Sequence, residues 1–398
     1  MSWKGEHKVR PYVPGEHKVR PYVPRRSAMH PIAIKKLVIK VGTSTLTRGG
    51  GPPDTAYIAD LAAQVALQQA LGRNVVLVSS GAIRAGMDRL KLPGRPRSIP
   101  QKQAAAAIGQ GLLMHTYAQA FAPHDIPVGQ VLLTREDLRE RTRYLNARNT
   151  FDALLGHRVV PIVNENDTVA VDEIKFGDND TLAALVASLI EADALLLLSD
   201  VAGLYDRDPT QFPDARLIPI VETIDRTIEQ RAGGAQTGMG TGGMTTKVQA
   251  AKICANTNVH MFIADGRRAN VVADALDGLC GTHFLPKPTR LRSRQRWIAY
   301  GVLPKGTVTV NDGARLRVRD EGKSLLPAGV THVTGHFEAG DLVRLADAHG
   351  HAFAQGFVNY THAQLAKIMG RRTEDIPLLL GTDAGEEVIH RDNLVLDL

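Results

Sequence analysis

Cysteine is almost absent: the chain carries Cys254 and Cys280 and no others. That excludes a disulfide-stapled secreted scaffold and a four-cysteine zinc site. Cys254 lies in an apolar helical pattern, AAKICA, and reads as a small core residue. Long hydrophobic runs are missing too. No window reaches the roughly 18 consecutive apolar residues that a membrane span needs. The amino terminus is basic, but no apolar segment follows it. It therefore does not read as a secretory signal, and the cytosol is the expected compartment. Aromatics supply only 5% of residues, so the core must come mostly from Leu, Val, Ile and Ala. What is present over 398 residues, 43% hydrophobic and 22% charged, is ordinary for a globular protein and excludes wholesale disorder. The length suggests two or three domains.

A formal net charge of +7 invites a nucleic-acid partner. Its distribution argues otherwise. Residues 1–30 hold seven Lys or Arg and two Glu, and residues 286–305 hold six Lys or Arg and no acid. Residues 31–285 hold 26 of each sign, and residues 306–398 hold nine Lys or Arg against 13 acids. The excess lies in a tail and a linker, while the bodies are neutral or acidic. An RNA partner is therefore disfavoured.

The tail contains a tandem repeat: GEHKVRPYVP fills residues 5–14 and returns at 15–24. Its Pro, Lys, Arg and His cannot bury a face, and two copies do not make a solenoid. Residues 1–30 read as a disordered basic tail. From residue 31 to 285 buried strands alternate with helices. Strands are expected at Lys36–Val41, Asn74–Val78, Val128–Leu133, Val159–Val163, Ala194–Leu198 and Val259–Ile263. Between and after them, helices are expected from Asp54, over Gln101–Phe121, Arg143–Leu155, Asp180–Ile190 and Thr245–Ala255, and near Ala269–Leu276. The pattern predicts an α/β fold with a parallel-rich open sheet sandwiched by helices. Such sheets bind ligands at the carboxyl ends of their strands. Residues 286–305 read as a basic linker. Residues 306–398 read as a small β-rich domain in which helices nearly vanish, with short strands at Gly306–Val310, Leu316–Val318, Val330–Val333, Asp341–Leu345 and Ala352–Phe357.

The strand exits carry the chemistry. Lys40 sits inside an otherwise apolar strand and is followed by Gly42, Thr43 and Ser44. A buried lysine costs desolvation unless it meets an anion, so it is either a snorkelling side chain or a charge for phosphate. Ser79, Ser80 and Gly81 follow the second strand and open a helix at Ala82, which is either ordinary capping or an anion site. After the VVPIV strand comes NENDTVAVDEIKFGDND, with Asn164, Glu165, Asn166, Asp167, Asp178, Asn179 and Asp180 close together. Asp178 looks like a helix cap. The run does not match a calcium loop and suits a polar zwitterion: Asp167 for an ammonium group, amides for carboxylates. Ser199, Asp200 and Gly203 follow the LLLL strand. The loop GMGTGGMTTK holds a formal G-x-G-x-x-G (Gly238, Gly240, Gly243), but no strand immediately precedes it and it is not a Walker A loop. Its N–H groups could still cradle phosphates, with Lys247 one helical turn in.

These residues together resemble the amino acid kinase family. IKVGTSTLT, VSSGAIRAG, LLTREDL, LNARNT, PIVNENDTVAVDEIKFGDND, LLSDVAGLY and GTGGMTTK carry the resemblance over about residues 34–285, and the NEND and GDND pair points to its glutamate-phosphorylating branch. RLRVRDEGKSLLPAGVTHVTGHFEAGDLVRL and GFVNYTHAQLAKIMG resemble a PUA domain. The amino-terminal extension has no counterpart in that pattern. The resemblance implies ATP-dependent phosphorylation of the γ-carboxylate of L-glutamate, opening proline synthesis, with free proline as inhibitor. Lys40, Lys247 and Asp180 would be catalytic. Ser80, Asp167 and Asn179 would hold glutamate. Lys40, Ser199, Asp200, Thr241, Gly242, Gly243, Met244, Thr245, Thr246 and Lys247 would hold ATP. Mg2+ would bridge the ATP phosphates with few direct protein ligands. A homo-oligomer and hand-over of product to the next enzyme are also implied. A sister kinase acting on N-acetylglutamate, aspartate or carbamate is the runner-up, and those lack the PUA-like tail. An RNA-binding protein is the rival from another class.

Overall fold

Every strand of the first body whose sequence is a continuous apolar run is buried on both faces. In the computed structural model, which describes residues 32–47, 51–92, 94, 96–169, 178–233, 243–287, 298, 304–381 and 386–396, these strands form one sheet. The decapeptide repeat and most of the basic linker lie outside the described residues. The first body runs β1 (Lys36–Val41), α1 (Thr43–Thr47), α2 (Thr55–Ala70), β2 (Asn74–Ser79), α3 (Ala82–Arg89), α4 (Ile99–Phe121), β3 (Val128–Leu133), α5 (Arg135–Arg139) and α6 (Arg141–Gly156). It continues through β4 (Val160–Glu165), α7 (Asn179–Leu189), β5 (Ala194–Ser199), β6 (Ile220–Val221), α8 (Arg226–Gly233), α9 (Met244–Asn256), β7 (His260–Asp265), α10 (Val271–Leu276) and β8 (Thr282–Phe284).

The strand order is β3-β4-β2-β1-β5-β7-β8-β6, parallel throughout except for the antiparallel β7–β8 pair. Long connections through helices are what allow parallel neighbours. The helices start where the sequence places caps. Asp54 accepts hydrogen bonds from the N–H groups of Ala56 and Tyr57, and Asp178 accepts one from Thr181 at 2.7 Å. α7 is buried at Asp180 and from Leu182 to Leu189, mostly through apolar side chains, as a helix wedged between a sheet and another helix must be. The parallel order puts the exits of β1, β2, β4 and β5 along one edge of the sheet.

Two glycines let α3 and α4 touch backbone to backbone. A Cβ on Gly86 would sit 1.8 Å from the Ala105 carbonyl oxygen, and one on Gly109 would sit 1.8 Å from that of Ala82. No side chain fits there. The close approach brings the buried face of α4, with Gln110, Leu113 and Tyr117, against the β2 exit.

The C-terminal part holds a second sheet of β9 (Gly306–Val310), β10 (Val330–Gly335), β11 (Leu342–Ala346), β12 (Ala352–Phe357) and β13 (Leu394–Leu396), in the order β10-β9-β11-β12-β13. Its own core holds Val308, Val343, Leu345, Tyr360 and Ile389. The expectation that helices nearly vanish here is corrected. Leu316–Val318 is not a strand but part of α11 (Asp312–Arg319), and α12 (His362–Ile368) and α13 (Ile376–Leu380) follow. RLRVR alternates like a strand. Asn311, however, accepts a hydrogen bond from Ala314 N and starts a helix of which only Val318 is buried. Among the described residues no helix is long and apolar enough to cross a membrane.

At the amino end of β7, opposite the strand exits, His260 Nδ1 lies 3.0 Å from His283 Nε2, and His283 stacks on Phe262. Burial, then the neighbouring His260, pushes the His283 imidazole down to about 4, and burial also lowers His260 despite nearby Asp193. The folded pair stays neutral where the unfolded histidines take up protons. Stability should therefore fall as pH drops from about 6.5 toward about 4, by on the order of 3 kcal/mol. Urea unfolding at pH 7.5 and 4.5 checks this. His283→Phe should remove much of the fall, and an unchanged slope in that variant would contradict the assignment.

Candidate active site

A cation in the middle of a parallel sheet must be held by something. Lys40 stands between Val78 of β2 and Leu197 of β5 and is 8% exposed. Its ammonium lies 2.5 Å from Asp180 Oδ1. Lys247, in the first turn of α9, lies 3.0 Å from Asp180 Oδ2 and is 6% exposed. Thr246 Oγ1 stands 3.1 Å from the same oxygen and 2.8 Å from the Gly243 carbonyl. Asp180 itself is fully buried. Burial alone would raise its pKa, but Lys40 and then Lys247 outweigh that and hold the carboxyl near about 2. Asp178, two residues earlier, is pushed up by burial and by the charge of Asp180.

One carboxylate thus fixes two ammonium groups drawn from opposite ends of the first body's sequence. Each ammonium has three donors and spends one on Asp180, leaving others for a second anion. Gly42 after β1 keeps the approach narrow but open, since a Cβ there would lie 3.6 Å from the Lys40 ammonium. Its N–H bonds the Leu198 carbonyl of β5. At the β5 exit, Ser199 Oγ donates to Asp200 Oδ1 at 3.2 Å.

The second cluster begins one residue before Asp180. Asn179 Nδ2 donates to Ser80 Oγ at 2.8 Å, to Asn164 Oδ1 at 3.0 Å and, at 3.4 Å, toward the Ser79 carbonyl. Asn164 Nδ2 donates to Gln110 Oε1 at 3.0 Å. Ser79 Oγ donates to the Ser80 carbonyl, so the Tyr117 hydroxyl, 2.9 Å away, donates to Ser79 Oγ. Burial pushes the Tyr117 phenol up to about 12, although Ser79 pulls the other way. Ser80 is not a helix cap, contrary to one reading of its position. Gly81 occupies that place at φ 101°, a left-handed conformation open to glycine, and Ser80 turns to Asn179 instead.

The structure therefore brings together Lys40, Asp180, Lys247 and Thr246 in one cluster and Ser80 and Asn179 in the next. Asp167 lies in the turn after β4, three residues past Asn164. Gly243 is the N-cap of α9 and Met244 packs against the main core, whereas Thr245 Oγ1 donates to the Ala232 carbonyl of α8. Thr241 and Gly242 lie outside the described residues. Sequence reasoning missed Arg267. Its guanidinium forks onto Asp265 at 2.8 Å and donates to the Asp200 carbonyl at 2.9 Å, tying the β7 exit to the β5 exit. Its position two residues past a buried strand was the available signal.

Comparison with known proteins agrees with this geometry. The amino acid kinase family pattern matches residues 35–265, and the PUA domain pattern matches residues 306–378. A protein of Geobacter sulfurreducens named glutamate 5-kinase is 50% identical over 364 residues, covering 91% of this chain and 98% of its own. Proteins of that name from Syntrophotalea carbinolica and Caldanaerobacter subterraneus are 49% and 48% identical, each over 91% of this chain and 97% of their own. With the parallel sheet, the strand-exit lysines and this breadth of identity in hand, the chain belongs to the amino acid kinase family and carries a C-terminal PUA domain.

Proposed function

We propose that the chain transfers the terminal phosphoryl group of ATP to the γ-carboxylate of L-glutamate, giving ADP and L-γ-glutamyl phosphate. The observation that carries this reading is that Asn179 and Asp180 are consecutive. Asp180 gathers the two lysines suited to phosphate, and Asn179 gathers the hydroxyl and amide suited to an amino acid. Donor and acceptor subsites thus meet at the first turn of α7. The relatives named glutamate 5-kinase supply the substrate.

The attacking group is a carboxylate, ionised at neutral pH, so no general base is required. Catalysis is positioning plus stabilisation of charge on the transferring phosphoryl group. In this reading Lys40 contacts that group and Lys247 the leaving side, while Asp180 orients both. Ser80 and Asn179 hold the amino acid and Asp167 takes its ammonium. Ser199, Asp200 and the Gly243–Lys247 turn hold ATP, with Arg267 bracing the β5 exit. A magnesium ion neutralises phosphate charge when bound. Both carboxylates nearest the lysines are engaged, Asp180 by two ammonium groups and Asp178 by Thr181 N. No group of three metal-ligating side chains occurs among the described residues. This donor set suits a cation carried in by the nucleotide rather than caged by protein. The chain is further proposed to open proline synthesis in the cytosol as a homo-oligomer. Proline would compete in the amino-acid subsite, and the labile acyl phosphate would pass to the next enzyme.

A coupled assay of ADP release with glutamate, N-acetylglutamate, aspartate and carbamate should show turnover with glutamate alone. Faster turnover with N-acetylglutamate, which has no ammonium group, would overturn the substrate assignment. Lys40→Ala should lower kcat by about 10²–10³-fold while the chain stays folded. Near-normal kcat would remove Lys40 from the site. Asp167→Ala should raise the KM for glutamate about tenfold or more and leave that for ATP within about twofold. Equal effects on both would argue against its placement.

A further inference from the structure

The chain leaves β5 by a turn that breaks an alternation. Successive carbonyls along a strand point to opposite neighbours. The Leu198 carbonyl accepts from Gly42 N, on the β1 side, and the Ser199 carbonyl accepts from Gly266 N, on the β7 side, at 2.8 Å. In a continuing strand the Asp200 carbonyl would face β1 again. It turns back toward the β7 exit instead and accepts from Arg267 Nη2 at 2.9 Å.

That peptide unit has another end. In a trans peptide the N–H points opposite to the carbonyl. With the Asp200 carbonyl held on the β7 side, the Val201 N–H is directed to the β1 side, where Gly42 and the Lys40 ammonium stand. The Val201 N–H has no hydrogen-bond partner among the described residues. A free amide N–H beside buried ammonium groups suits a phosphate oxygen.

Arg267 does not hold the carbonyl from a freely swinging side chain. Asp265 accepts from the Arg267 backbone N–H at 3.0 Å, from Nε at 2.8 Å and from Nη2 at 2.8 Å. The Arg267 bonds keep the Asp265 carboxyl below the usual carboxylate range. The fork leaves the second N–H of Nη2 for Asp200. The guanidinium charge is already answered by Asp265, so Arg267 acts through the peptide it holds.

We propose that the Arg267–Asp265 fork is a positioning device for the nucleotide: it keeps the Asp200–Val201 peptide turned so that the Val201 N–H donates to a phosphate oxygen of ATP. The inference rests on the nucleotide half of the function proposed above and is independent of which acceptor is phosphorylated. The Arg267 side chain is more than half exposed, so its replacement removes the fork at little cost in packing.

The test is calorimetric titration of the full chain with MgATP, alongside the KM for glutamate. Arg267→Ala should weaken MgATP binding about fivefold, because the binding-competent peptide is populated less, and leave the KM for glutamate within about twofold. Asp265→Asn should also weaken MgATP binding, since it frees the guanidinium from its fork. The double variant should bind no worse than Arg267→Ala alone. Tighter MgATP binding in Asp265→Asn would overturn the proposal, because it is the result expected of an arginine that touches the nucleotide itself. Unchanged MgATP binding in Arg267→Ala, an equal loss for both substrates, or additive losses in the double variant would overturn it as well. An unsubstituted chain that binds MgATP without phosphorylating glutamate would overturn the acceptor assignment and leave this inference standing. A chain that binds no MgATP would overturn both.

Discussion

Asp180 is the residue on which the site depends. A fully buried carboxylate is costly unless paired, and two largely buried ammonium groups more so. Here the three resolve one another, at 2.5 Å and 3.0 Å, across segments some two hundred residues apart in sequence. The fold supplies the means. β1 brings Lys40 to the sheet edge, α7 starts beneath it with Asp180, and α9 starts beside it with Lys247. Within direct contact the cluster carries one positive charge more than it balances, which in the proposed function an incoming phosphate answers. A low-dielectric setting makes such charges worth more than they would be in water.

The same helix start joins two chemistries. Asp178 caps α7, Asn179 organises the amides and Ser80, and Asp180 organises the lysines. In the proposed function, three successive residues therefore serve the helix, the acceptor subsite and the donor subsite. A shift of α7 along its axis would disturb all three together, so the burial of Leu182 to Leu189 is part of the site's precision.

Much of this was legible in the sequence because strand exits in a parallel sheet are predictable from apolar runs. Lys40, Ser80, Asn179, Asp180, Ser199 and Lys247 all lie at or next to the end of a strand or the start of a helix. Gln110 and Tyr117 were not legible. They sit mid-helix in α4, and only the glycine contact with α3 turns that face toward the site. Arg267 was hidden for a related reason, since its partner Asp200 lies just past the end of another strand. The misread element, α11, fell where RLRVR alternates like a strand. The deciding signal was the asparagine cap rather than the alternation. The charge excess of the whole chain, tempting as a nucleic-acid signal, resides mostly in the tail and linker and says little about the catalytic body.

The central claim is that this geometry makes an acyl phosphate from a free amino acid. Hydroxylamine captures acyl phosphates as hydroxamates, so the decisive measurement is the product formed from ATP, L-glutamate and hydroxylamine by the full chain. The account predicts γ-glutamyl hydroxamate formed in step with ADP. ADP released without hydroxamate, or hydroxamate formed equally well from N-acetylglutamate, would contradict it.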